Sequence, residues 1–272
     1  MSDPAQGPAG RFPDLAPRLA SGVALLAVGG VALWLGGWVL AVLLAVLGGL
    51  IVWEVLRMLP WAQGPALTLG LPTGLGLALL AVGPLGVWGA PLLLWAPAGV
   101  LAWAVLVRRE GAGGLGQPVA LYLVLVLLGL HGFGLLRAEL GLGWMLWLIA
   151  VVIASDVAGY FAGRLIGGPK FWPRVSPKKT WSGTVAGWLG AAAVGAVAMG
   201  PLGAGAGLVV LSVVVAMAGQ GGDIAESALK RRAGVKDSSR LIPGHGGLAD
   251  RFDAMLAAAF LAWLALLAGL VP

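Results

Sequence analysis

Apolar residues dominate this chain in long runs, broken by short groups of charges, glycine pairs and prolines. A run of about 20 apolar residues crosses a hydrocarbon core roughly 30 Å thick as a helix. The pattern predicts about nine such helices, near residues 19–36, 38–57, 66–83, 84–107, 117–136, 140–162, 181–199, 202–220 and 254–271. Gly36-Gly37 and Gly83-Pro84 are the only breaks between the first and second and the third and fourth runs, so both pairs are expected to be tight hairpins. The expected fold is all-α, a polytopic integral membrane helical bundle. It divides into a tail over 1–18, an N-terminal transmembrane region over 19–136 and a C-terminal transmembrane region over 137–272, whose loops at 163–180 and 221–253 hold the candidate chemistry. Neither a soluble domain nor an internal repeat is apparent.

Composition supports that reading. Hydrophobic residues make up 60% of the chain and charged residues 10%, against about a quarter charged in ordinary soluble domains. The 46 glycines suit membrane bundles, where small residues let helix backbones approach closely. With no cysteine, disulfides, thiolate metal sites and cysteine nucleophiles are excluded. The tail from Met1 to Arg18 carries Pro4, Pro8, Pro13 and Pro17 and lacks a short apolar core with a cleavage site, so it reads as a cytosolic tail.

Charge placement tests the span count independently. With the N-terminus in the cytosol, all but Arg137 of the 17 Lys and Arg residues fall on the cytosolic side, as the positive-inside rule requires. The net charge of +6 is therefore explained by topology and gives no reason to expect a nucleic-acid partner. The expected location is the cell (inner) membrane, crossed many times, with the charged loops in the cytosol.

The acidic residues are more informative. Asp223, Glu226, Asp237, Asp250 and Asp253 fall in one stretch with Lys230, Arg231, Arg232, Lys236, Arg240 and Arg251. Carboxylates contribute little to orientation, so they need another reason. Asp223, Glu226, Ser227 and Lys230 share one helix face where the eighth run leaves the membrane. Hard cations such as magnesium take such oxygen ligands and keep phosphate oxygens in their remaining positions. An i, i+4 ion pair between Glu226 and Lys230 on a solvated helix end is the plainer alternative.

Pro243-Gly244-His245-Gly246-Gly247 predicts a tight turn that leads to Asp250, Arg251 and Asp253. One carboxylate pair then stands on either side of a folded-back loop. His245 is a candidate ligand or base, although a lone histidine in a glycine turn is more often structural.

A second loop, Arg164 to Thr180, carries Lys170, Arg174, Lys178 and Lys179 and no acid. Beside the carboxylates it suits a polyanionic substrate; alone it reads as positive-inside anchoring. Thr180 is placed to cap the following helix. Asp156 lies inside the sixth run, where a carboxylate costs a few kcal/mol unless paired or functional. Gly159, Gly163 and Gly167, four apart, suit helix packing. Snorkelling explains Glu54 and Arg137 as readily as a substrate contact does.

The run Gly222-Asp223-Ile224-Ala225-Glu226-Ser227-Ala228-Leu229-Lys230-Arg231, with Lys236-Asp237, Pro243-Gly244-His245-Gly246-Gly247 and Asp250-Arg251-Phe252-Asp253, resembles the signature of phosphatidate cytidylyltransferases, also called CDP-diacylglycerol synthases. Two weaker features agree: Ser155-Asp156 with Gly159-Tyr160-Phe161 and Gly163-Arg164, and Ser176-Pro177-Lys178-Lys179-Thr180-Trp181. The resemblance covers the C-terminal part of the chain, whereas residues before about 130 match mainly as apolar spans. The chain departs from the family at Val157-Ala158-Gly159, Ser182 and Ala254, and none of these removes a carboxylate.

The resemblance implies CTP and phosphatidate as substrates, CDP-diacylglycerol and pyrophosphate as products, and Mg2+ as cofactor, with a second, monovalent cation such as K+ and a homodimer left open. It places Asp223 and Asp250 at the metal with Glu226 and Asp253 in support, and counts Lys236 and Asp237 with the catalytic pair. Ser176, Lys178, Lys179, Thr180, Lys230, Arg231, Arg251, Asp156, Ser227 and His245 are expected around the substrate phosphates. Rival readings are another CTP-dependent lipid enzyme, such as a polyprenol kinase or a cytidylyltransferase for a different lipid phosphate, and a transporter. The transporter is disfavoured because the charges gather at one membrane face rather than at the midplane.

Overall fold

The computed structural model describes residues 15–59, 64–65, 75, 114–242 and 246–271. The expected third and fourth spans fall almost wholly outside these residues, as does His245.

Helices α1 (Leu15–Leu35) and α2 (Gly37–Arg57) form the first expected hairpin. The turn uses Gly36 and Gly37 at φ 64° and 49°, a left-handed backbone that only glycine adopts at little cost. Helix α3 (Gly116–Glu139) is followed after Leu140 alone by α4 (Gly141–Leu165). Strands β1 (Lys170–Trp172) and β2 (Ser176–Thr180) come next, then α5 (Trp181–Leu202), α6 (Gly207–Arg232) and α7 (Ala249–Leu267). Helices α2 to α6 are long and apolar enough to cross a membrane by length and composition. The apolar part of α1, Leu19–Leu35, is shorter, and α7 carries Asp250, Arg251 and Asp253 near its start. Leu26, Trp34, Leu165 and Val197 are each at least 70% exposed, as suits a surface that meets lipid rather than water.

Two local expectations change. The segment after α4, expected only as a basic loop, forms an antiparallel hairpin pairing Lys170 with Thr180 and Trp172 with Ser176. Pro169, Pro173 and Pro177 remove the amide donors a helix needs, and the Phe171 and Trp181 rings meet at 4.7 Å between centroids. The eighth span does not end near residue 220: α6 continues unbroken to Arg232, so the acidic face belongs to the spanning helix itself.

Helix α6 lies between α5 and α7, α4 crosses α5, and α3 rests on α7, with α2 reaching the bundle through α3. The α4–α5 crossing is close enough that a Cβ on Gly183 would stand 2.5 Å from the Gly159 carbonyl oxygen. Gly159 and Gly163 thus serve packing as expected, but Gly167 does not. It lies past the end of α4 at φ 67° with open space around it, turning the chain into the hairpin. On the other side of α6, a Cβ on Gly222 would stand 2.5 Å from the Asp253 carbonyl oxygen, which sets α6 against α7 at the level of the acids.

Candidate active site

The charged face of α6 is kept as a helix face, so Asp223, Glu226, Ser227 and Lys230 do line up. Glu226 is fully buried and Lys230 nearly so. The Lys230 ammonium lies 2.5 Å from Glu226 Oε2 and 2.6 Å from Asp250 Oδ1. One lysine therefore makes the expected i, i+4 pair and also joins α6 to the first turn of α7.

Asp250 is held from several sides. Its Oδ2 accepts from the Ser238 amide at 3.0 Å, the Ser238 hydroxyl at 3.0 Å and the Gly247 amide at 2.9 Å. Burial alone would raise the Asp250 carboxyl, but the bonds from Lys230 and the Gly247 amide outweigh it and hold the group below the usual carboxylate range. Asp253, just before the apolar stretch of α7, goes the other way: burial and then the Asp223 charge push it up to about 7.

The hairpin contributes the second cation. Lys179 of β2 forms an ion pair with Asp223, whose Oδ1 also accepts from the Ser227 hydroxyl at 3.3 Å. The expected meeting of basic loop and acids is thus made by Lys179. Lys178 is exposed with no side-chain partner among the described residues, and Ser176 opens β2 opposite Trp172. Thr180 caps α5, its Oγ1 accepting from the Gly183 amide at 3.2 Å. Asp156 is exposed on α4, within electrostatic reach of Asp223 and Lys179.

The remaining expected residues stand apart. Lys236 and Asp237 are exposed, with no side-chain partner among the described residues. Arg231 donates to the Val235 carbonyl at 3.1 Å and so closes the end of α6, and Arg251 is exposed on α7. Among the described residues, no three acidic or imidazole side chains converge as a ready metal site, because lysines stand between the carboxylates. The donor chemistry nevertheless fits a hard cation: it is all oxygen, and the buried Glu226 Oε1 has no hydrogen-bond partner among the described residues.

Glu54 is the residue that sequence reasoning missed. It is fully buried on α2 and accepts from Ser239 Oγ at 2.5 Å, Ser238 Oγ at 3.3 Å, Leu248 N at 3.0 Å and Ala249 N at 2.8 Å. Its carboxylate caps the start of α7 and fastens the loop that presents Asp250. Gly247 is required beside it, since a Cβ there would stand 2.8 Å from Glu54 Oε1. The available signal was a carboxylate in an apolar run, a position that demands partners. A second missed group is Gln220, which accepts from Trp188 Nε1 at 3.0 Å and donates to Ser155 Oγ at 3.2 Å, tying α4, α5 and α6 together beside Asp156. Arg137 donates to the Leu33 and Trp34 carbonyls at 2.8 and 3.0 Å, closing the end of α1.

The chain is similar in sequence to known proteins. The model of the cytidylyltransferase family matches residues 16–268. A phosphatidate cytidylyltransferase of Brucella suis is 43% identical over 171 residues, covering 61% of this chain and 62% of that protein. Proteins of the same name from Helicobacter pylori and Staphylococcus saprophyticus are each 42% identical, over 126 and 123 residues, or 47% of their own length. The matched part thus spans less than two thirds of these relatives. The family match runs over nearly the whole chain and includes every part of the charged cluster, and the chain belongs to the cytidylyltransferase family.

Proposed function

We propose that this chain transfers the cytidylyl group of CTP to phosphatidate, yielding CDP-diacylglycerol and pyrophosphate in phospholipid synthesis. The observation that carries the reading is Lys230, bonded at once to Glu226 of α6 and Asp250 of α7, in a chain whose relatives bear the name phosphatidate cytidylyltransferase. The charges gather at the end of a spanning helix, where a soluble nucleotide and a membrane-held lipid can meet. About nine spans, a cytosolic N-terminus and an inner-membrane site facing the cytosol complete the proposal.

The lipid phosphate is already ionised near neutral pH, so no dedicated general base is required. One of its oxygens attacks the α-phosphorus of CTP as the bond to the bridging oxygen breaks, and pyrophosphate leaves with that electron pair. The protein's task is to hold the reactants in line and offset charge on the triphosphate. Lys179 and Lys230, now paired with acids, exchange those partners for phosphate oxygens. Asp223 and Asp250, supported by Glu226 and Asp253, would hold Mg2+, which supplies charge neutralisation on the phosphates. Ser238, Gly247 and Glu54 keep Asp250 and its loop in place.

The test is pyrophosphate release by the purified chain given CTP, a phosphatidate and magnesium. Release that needs all three and disappears in Asp250→Asn supports the reading. Release of CDP instead would assign a lipid kinase, and no release across several lipid phosphates would overturn the assignment.

A further inference from the structure

A groove of about 320 Å³ runs between the start of α3 and the end of α6. Pro118, Leu121, Tyr122 and Leu125 line it from α3, and Ala225, Ala228, Leu229 and Arg232 from α6. Each set is spaced i, i+3, i+4, i+7, so each is one helix face, and no acid is among them. Leu121, Ala225 and Arg232 are exposed, so the groove opens outward. It backs directly on the charged cluster, because Glu226 and Lys230 occupy the adjoining face of the same helix.

Two polar groups mark what the groove takes. Arg232, at the very end of α6, has neither a hydrogen-bond nor an ion-pair partner among the described residues. Tyr122 is 6% exposed, and its buried hydroxyl has no hydrogen-bond partner among the described residues. That hydroxyl lies within electrostatic reach of Glu226, Asp253, Asp250 and Asp223, so Tyr122, which lines the groove, also stands near the acids. An apolar channel at the membrane surface with a lone guanidinium at its mouth complements an amphiphile with an acyl chain and an anionic head.

We propose that this groove seats an acyl chain of phosphatidate, with Arg232 on its phosphate and Tyr122 at the passage to the carboxylate–lysine cluster. The inference rests on the cytidylyl-transfer reading and adds the lipid's place and path.

The test is photolabelling of the full chain in nanodiscs with a phosphatidate carrying a diazirine in one acyl chain, without CTP. Labels are expected on α3 and α6 around Leu121, Leu125 and Ala225, and unlabelled phosphatidate should displace them at lower concentration than phosphatidylglycerol does. In turnover, Ala225→Trp should raise the KM for long-chain phosphatidate by about ten-fold, the equivalent of roughly two lost methylene contacts, while leaving kcat and the KM for CTP unchanged. Arg232→Gln should raise the same KM and spare the membrane core if the tryptophan variant fails to fold. Labels on other helices, equal displacement by phosphatidylglycerol, or an equal rise in the KM for CTP would overturn the site. Groove labelling without any pyrophosphate release by the wild type would count against the transfer reading instead.

Discussion

Two buried carboxylates, Glu226 and Glu54, are kept in opposite ways. Glu226 faces a lysine ammonium that it shares with Asp250, while Glu54 is held by amides and hydroxyls with no cation beside it among its bonding partners. A lysine on a flexible stem can let go of a carboxylate and take a phosphate. Backbone amides at the start of a helix cannot move without moving the helix. The first arrangement is therefore suited to exchange, the second to fastening, and burial alone does not separate a reactive acid from a structural one.

Substitutions should sharpen that contrast. Asp250→Asn, at the exchangeable centre, is expected to lower kcat by about 10³-fold with a smaller loss of thermal stability: the ion pair to Lys230 is lost, while Glu226 still pairs with that lysine and the amide oxygen still accepts from Ser238 and Gly247. A loss of stability as large as the loss of rate would erase the distinction. Glu54→Ala should do the reverse in kind. It leaves several buried donors unmet, at roughly 1–3 kcal/mol each, so the unfolding midpoint in detergent should fall sharply and activity only with it. Lys179→Met removes one charge-assisted contact and should raise the KM for CTP about ten-fold, readable by initial rates at fixed phosphatidate. Arg137→Gln, far from either carboxylate, should cost about 1 kcal/mol of stability and leave turnover unchanged; a loss of activity without a loss of stability would instead give Arg137 a role at the substrate.

Much of this architecture was legible because its signals are local. The run at 140–162 predicts α4 within a few residues of Gly141–Leu165, and the i, i+3, i+4, i+7 spacing from Asp223 places four side chains on one face. Thr180 reads as a cap because capping is decided within four residues. Glu54 could not be assigned in the same way, since its partners lie 184 to 195 positions away and no periodicity reports such a pairing. The β-hairpin escaped notice because a three-residue strand beside a lysine-rich one shows no alternation to detect. The splitting of the acids by Lys179 and Lys230 likewise depends on how β2 and α7 are brought to α6, which spacing along a single helix does not carry.

The bond from Glu54 to Leu248 and Ala249 also constrains how this molecule can be taken apart. A chimaera that replaces the first hundred residues with an unrelated membrane anchor would keep the whole signature and still lose the acceptor that seats the Asp250 loop. Donor anchors should therefore be chosen by whether they present a carboxylate at the depth of Glu54, and co-expressed halves of the chain should reassemble only when the first half retains it.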